Sequence, residues 1–437
     1  MFRSSALVFA LALALVACTG DAATTSTTLP DVSSAPTTGE TTTTVPSSST
    51  TAAEAIPNGP LPGTENLPPE VTEELIELVG ITEEVRGLQF VEMPVVTVVT
   101  EEELASRVQA QIAEDAEDFP ADEALYQLLG LLSEDTNLEA MLTELYGEQV
   151  AGYYDGEVGE LVVPMREDGF SVVQRATLIH ELTHALTDQQ FDFDLAFDAM
   201  IEEDRLDEAS AYQALIEGDA SLAEFHYLQT LSQSELGEFF AEALDVDTTA
   251  LDAAPAFIQD SLIFPYDSGL AFNQQLYDDD GWASINEAYG TMPGLPGTTE
   301  QVITPSDFGR DLPSEVTAPE VTVPAYELER TSVWGELGFR LMIDQVLGED
   351  IGVDAADGWG GDAYSQWFDG TNAAMVLVFQ GDTDRDTEEL RVALASYAEA
   401  AVDDEDFVSV EIVDERLVFI VADDTTVGEL IQATVAG

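Results

Sequence analysis

Apolar positions recur at helical spacing along most of this chain, and the exceptions are few enough to place. Residues 71–79 carry the first helical pattern. Thr100-Glu101-Glu102-Glu103 has the capping form that opens a helix. Further helical patterns cover residues 125–132, 138–145, 172–189 and 203–230, and helix continues to about 288. Residues 86–99 read as one or two strands around Pro94. Gly152-Tyr153-Tyr154-Asp155 and Leu161-Val162-Val163 read as the arms of a hairpin. Six prolines then fall in residues 292–324, which predicts an ordered loop with short strands, or a joint between domains. Beyond it the pattern alternates: an amphipathic helix over 331–346, a buried strand over 373–379, a helix over 386–400, and a hairpin of 407–413 with 416–421 around Asp414-Glu415. No fixed-period repeat is present. The expectation is an α+β protein, helix-rich in the middle, with a small N-terminal sheet and a C-terminal α+β region.

The first residues change the picture. Arg3 precedes twelve apolar residues, Ala6 to Ala17, a run of secretory type too short to span a bilayer. Leu15-Val16-Ala17-Cys18 resembles the lipobox of bacterial lipoproteins, in which the signal is removed and the cysteine acylated. That resemblance implies a signal peptide at 1–17, a lipid on Cys18, and an extracytoplasmic protein whose membrane contact is the N-terminal lipid. Cys18 is the chain's one cysteine, so an internal disulfide is excluded. A Thr- and Ser-rich stretch follows and cannot form a core. It makes 18–67 a tether, ahead of a core over 68–300 and a C-terminal region over 301–437.

Charge narrows the function further. The 437 residues hold 87 acids against 12 bases, all arginine, for a formal net charge of -75. Nucleic acid is excluded as a partner, because binding it needs a basic footprint that releases counterions. Self-repulsion on this scale also strains the compact state, and salt relieves it.

The chemistry centres on the chain's three histidines, His180, His184 and His226. Two of them lie in His180-Glu181-Leu182-Thr183-His184. Residues i and i+4 share a helix face, so both imidazoles can reach one cation. Glu181 leans toward the open coordination position, where it can take a proton from water and pass it to a leaving amine. A catalytic zinc wants a third protein ligand. Three residues stand open for it: Glu217, Asp219 and His226.

The HExxH motif with Glu217-Gly218-Asp219-Ala220 downstream resembles the gluzincin, peptidase MA-like metallopeptidases. The resemblance implies a zincin-like core, Zn2+ as cofactor, and Glu217 as the third ligand beside His180 and His184. It further implies a peptide or protein substrate, hydrolysed by metal-activated water with Glu181 as general base. Residues 86–217, Phe264-Pro265-Tyr266-Asp267-Ser268-Gly269 and the segment from Pro296 to Gln301 are similar to an uncharacterised family of secreted bacterial HExxH proteins. In gluzincins a strand beside the active-site helix binds substrate backbone, and Leu161–Val163 is the candidate. Asp188 and Asp219 are candidates to orient the histidines. His226, Tyr153, Tyr154, Tyr212 and Tyr266 are candidates to stabilise an oxyanion. Asp382-x-Asp384-x-Asp386 has the opening of a calcium loop but lacks its later Gly and Glu, and reads better as a helix cap at Asp386. Trp359-Gly360-Gly361-Asp362 reads as a turn or a pocket wall. The competing reading is a catalytically silent lipoprotein that keeps the metal fold as a scaffold, against which the intact Glu181 argues.

Overall fold

The structure, a computed structural model, describes residues 7–11, 61–113, 116, 119–165, 169–289 and 296–437. Cys18 and nearly all of the 18–67 tether lie outside the described residues. The fold is α+β, with two separate sheets. Among the described residues no helix is long and apolar enough to cross a membrane.

The first half is built around a four-stranded sheet in the order β1-β3-β4-β2. Its strands are β1 (Leu7–Leu11), β2 (Val95–Val99), β3 (Val150–Asp155) and β4 (Glu160–Pro164). β3 and β4 form the expected antiparallel hairpin, and β2 runs parallel to β4. The helical expectation at 71–79 is part of a longer α1 (Pro69–Arg86). Its end corrects the expected strand at 86–99. Gly87 takes the left-handed conformation that closes a helix, so Arg86 is helical and only Val95–Val99 is strand. α2 (Glu101–Ile112) starts where expected, with the Thr100 side chain accepting from the Glu103 N–H. α3 (Phe119–Leu128) and α4 (Leu138–Gln149) lead into the hairpin.

The long α5 (Val172–Phe191) follows, then α6 (Phe193–Glu202), α7 (Leu206–Leu228), α8 (Gln233–Ala243), α9 (Thr249–Ala253), α10 (Ala256–Asp280), α11 (Trp282–Tyr289) and α12 (Thr299–Ile303). The proline-rich segment holds α12 and, among the described residues, no strand.

The second sheet has the order β5-β6-β7-β9-β8 and is antiparallel throughout. It comprises β5 (Glu327–Ser332), β6 (Trp359–Phe368), β7 (Ala373–Gly381), β8 (Phe407–Val413) and β9 (Arg416–Ala422). α13 (Gly335–Leu347), α14 (Glu349–Ala356), α15 (Asp384–Ala401) and α16 (Thr425–Val435) complete it. The β8–β9 hairpin turns at Asp414 and Glu415, both at positive φ (49° and 68°), as a tight turn matched to strand twist requires. Two expectations are corrected here. The first part of 331–346 is strand β5, and the helix begins only at Gly335. Trp359-Gly360-Gly361-Asp362 is not a turn but the start of β6, carrying an irregularity between Trp359 and Gly361.

One hydrophobic core runs through both halves, from Leu61 and Leu75 through the α5 and α7 residues to Phe339, Phe379 and Phe419. β6 and β7 are buried on both faces. Their second face packs a smaller cluster of Trp367, Val376, Val378 and Ile420 with Val323.

Candidate metal centre

α5 carries the HExxH motif and is fixed at both ends. Ser171 accepts from the Gln174 N–H while the Gln174 side chain accepts from the Ser171 N–H, a reciprocal cap. The Gln174 amide also donates to the Pro164 carbonyl at 3.1 Å, tying α5 to the end of β4. Asp192, at φ 51°, closes the helix. Every residue from Leu178 to Thr187 is buried, because β3, β4, α1 and α7 surround the helix.

Glu217 comes from α7, and a close helix crossing sets its position. A Cβ on Gly218 would lie 2.1 Å from the Gly269 carbonyl oxygen of α10, and one on Gly269 would lie 2.3 Å from the Ala214 oxygen. Two glycines are therefore needed where the backbones meet. The Asn273 amide cements the crossing, donating to Leu215 O at 3.1 Å and Gly269 O at 2.9 Å. The Glu-Gly pair and the segment ending at Gly269 are thus two sides of one contact.

The crossing brings His180, His184 and Glu217 together as a group able to hold a metal ion, with one donor atom from each within 4.8 Å of the others. Glu217 Oε2 lies 3.1 Å from His180 Nε2 and 3.4 Å from His184 Nε2. Zinc bonds of ~2.0–2.1 Å at tetrahedral angles separate neighbouring donors by roughly 3.3 Å, so this spacing suits such an ion. Glu217 Oε1 and both nitrogens of His184 are buried with no hydrogen-bond partner. Donors left in this way are costly unless something else satisfies them, and a cation would.

The electrostatics agree. Burial disfavours a charged His180, yet Glu217, Glu224 and Glu181 outweigh it and hold that ring up to about 10. Burial pulls His184 below its ordinary value. Burial alone would raise Glu217, but the two histidines more than offset it and its carboxyl is lowered.

Residues 324–435 match a family model described as Domain of unknown function (DUF8575). No curated protein and no solved structure matches the chain. His180, His184 and Glu217 lie wholly outside the matched segment.

The structure separates the other candidates. Asp219 is no part of the donor group. It takes a buried two-pronged contact from Arg86, at 2.7 Å and 3.0 Å, while Arg86 also donates to Asn286 and lies over the Trp282 ring. His226 packs at a tilt against Tyr277 and Trp282. Asp188 accepts from the Tyr154 hydroxyl at 2.9 Å and from the Asp194 N–H, and does not hold a histidine nitrogen. Tyr153 interacts with Arg107, and Tyr212 packs against Tyr289. Tyr266 alone of the named tyrosines has its ring stacked beside His180, with centroids 6.2 Å apart. The candidate substrate strand is also corrected: β4 is hydrogen-bonded on both sides, by β3 and β2, so it has no free edge.

Sequence reasoning missed Glu224, whose Oε2 lies 3.4 Å from His180 Nδ1. The signal was available: Glu224 is two turns beyond Glu217 and therefore on the same helix face. Phe193, packed edge-on to His184, was missed as well.

Proposed function

We propose that the protein is a zinc-dependent peptidase with a zincin-like core, held outside the cell by a lipid on Cys18. The observation that carries this reading is the convergence of His180, His184 and Glu217 at tetrahedral spacing, with Glu181 buried on the same helix. Zinc held by those three residues would supply Lewis acidity, polarising a carbonyl and making water easier to deprotonate. Glu181 takes the proton from the attacking water and delivers it to the leaving amine. Glu224 accepts the Nδ1 proton of His180, which leaves the Nε2 lone pair to bind the ion beside Glu217. Tyr266, beside His180, is the candidate to stabilise the developing oxyanion. The β3 side of the hairpin is covered by β1, which falls within the expected signal peptide and would leave that edge open once removed. There Leu7–Leu11 pairs antiparallel, Val8 opposite Tyr154 and Phe9 opposite Tyr153, the manner in which an extended peptide would add.

One observation favours the scaffold reading: Glu181, His184 and Glu217 are 0% exposed. Hydrolysis of a peptide library by the purified chain, lost on chelation and restored by zinc alone, separates the two. A chain that binds zinc and cleaves nothing is the scaffold. Recovery of a Cys18→Ser variant in the membrane fraction at wild-type levels would remove the lipid anchor from the account.

A further inference from the structure

A second group of acids lies away from the metal centre. Glu300, Asp311 and Asp382 bring one carboxylate oxygen each to within 4.8 Å of one another. They come from three places: α12, the segment after it, and the turn between β7 and α15. Backbone contacts fix all three. The Gln301 side chain donates to the Asp311 carbonyl at 2.5 Å, and the Asp382 N–H donates to Gly358 O at 3.0 Å. Thr299, beside Glu300, donates to Asp207 at 2.6 Å and accepts from the Leu337 N–H.

Glu300 makes this more than a solvated acidic patch. It is 7% exposed, and its carboxylate has no hydrogen-bond or ion-pair partner among the described residues. The charged groups that act on it are all acids: Glu336, Asp311, Asp382 and Asp307. The nearby arginines are engaged elsewhere, Arg340 with Glu336 and Arg310 with the Ser306 carbonyl. Three carboxylates gathered this closely repel one another unless a cation lies between them. Burial first, and then those acids, push Glu300 up to about 8.

We propose that Glu300, Asp311 and Asp382 form a calcium site that clasps the segment carrying α12 to the β7–α15 turn. The donors are all hard oxygens, which excludes the nitrogen and sulfur preferences of zinc. Asp311 and Asp382 reach Glu300 from the surface, so water can complete the six to eight ligands calcium takes. Magnesium, which demands a smaller and stricter octahedron, fits three carboxylates from three flexible connections less well. The site joins residues on either side of the boundary of the DUF8575 match, and it owes nothing to the peptidase reading. The Asp382-x-Asp384-x-Asp386 run contributes only its first acid, because Asp386 caps α15 with Thr383.

The test is calorimetric titration of CaCl2 into the zinc-loaded full chain in about 0.5 M NaCl, where diffuse charge effects reach only a few ångströms. Saturable calcium binding is expected, with Kd on the order of 10⁻⁴–10⁻³ M, the range of extracellular calcium modules. At ten times Kd the melting temperature should rise by roughly 3 °C. Glu300→Gln and Asp382→Asn should each abolish both effects while zinc content stays unchanged. Glu300→Gln removes one of three crowded charges, so in calcium-free buffer it should melt no lower than wild type. A calcium response that survives in Glu300→Gln, an equal response to magnesium, or no calcium binding by wild type would overturn the proposal.

Discussion

Replacing Gly218 with alanine tests the link between helix packing and the metal centre. The new Cβ would lie 2.1 Å from the Gly269 oxygen and 2.3 Å from the Asn273 amide nitrogen. Carbon and oxygen in such contacts normally sit about 3.3 Å apart, so α7 and α10 must separate by about 1 Å. The obstruction is backbone, which cannot swing aside as a side chain can. Overpacking of this kind costs ~1–3 kcal/mol, and the better helix propensity of alanine returns ~1 kcal/mol. A net loss of about 1–2 kcal/mol is expected, a fall of several degrees in melting temperature. Glu217 is the adjacent residue. A shift of about 1 Å exceeds by far the ±0.2 Å that metal–ligand bonds tolerate, so metal affinity should fall at least about tenfold. Gly237→Ala in α8 is the control, because its Cβ meets nothing within 4 Å. It should gain up to about 1 kcal/mol from propensity alone. Thermal melts and metal analysis of the two variants decide the matter. A Gly218→Ala protein that melts higher than wild type and keeps its full metal content would refute the packing argument.

Three further outcomes follow from named contacts. Glu224→Gln should weaken metal binding by ~10–100-fold in competition titrations with little change in melting temperature of the metal-free chain, since it removes only the negative charge of the acceptor behind His180. Asp219→Asn leaves the fully buried Arg86 guanidinium without its charge partner and should cost ~3–5 kcal/mol in denaturant unfolding; a loss below about 1 kcal/mol would show that the pair is not held as described. Burial raises Asp207 and Glu336 to about 7 and Asp362 to about 6, against ordinary values of ~4 in the unfolded chain. The folded state therefore binds more protons than the unfolded one between those limits. This contribution is complete below about pH 4 and is lost as pH rises through 6–7, so unfolding measurements should show stability falling from pH 5 to pH 8. A flat or rising profile would contradict these assignments.

How much of this was legible in the sequence depended on whether the cause was local. His180 and His184 declare themselves because i, i+4 spacing on a helix is a local fact, and their rarity in an acid-rich chain makes the pair conspicuous. Glu217 followed by resemblance, and the Gly218–Gly269 contact now gives its physical reason. What failed was non-local. The Gly360-Gly361 pair looks like a turn, yet it lies at an irregularity in β6 where Gly361 passes 2.6 Å (as a notional Cβ) from the Ser314 carbonyl. β5 went unread, and its last two residues were taken into an apparent helix, because its pairing partner, β6, lies more than thirty residues on. β4 was mistaken for an edge because strand order is invisible in a local pattern. The partners of Asp219 and Asp188 could not be foreseen either, since Arg86 and Tyr154 are far from them along the chain.

The most direct test of the account is a paired measurement of metal content and peptide hydrolysis on wild type and Glu181→Gln. Glu181 is buried on the motif helix and is not one of the three residues grouped to hold the ion. The substitution should therefore leave one zinc per chain while lowering turnover by ~10²–10⁴-fold, the range for loss of a general base. Unchanged hydrolysis in the zinc-loaded variant, or a wild-type chain that binds no zinc, would contradict the central claim.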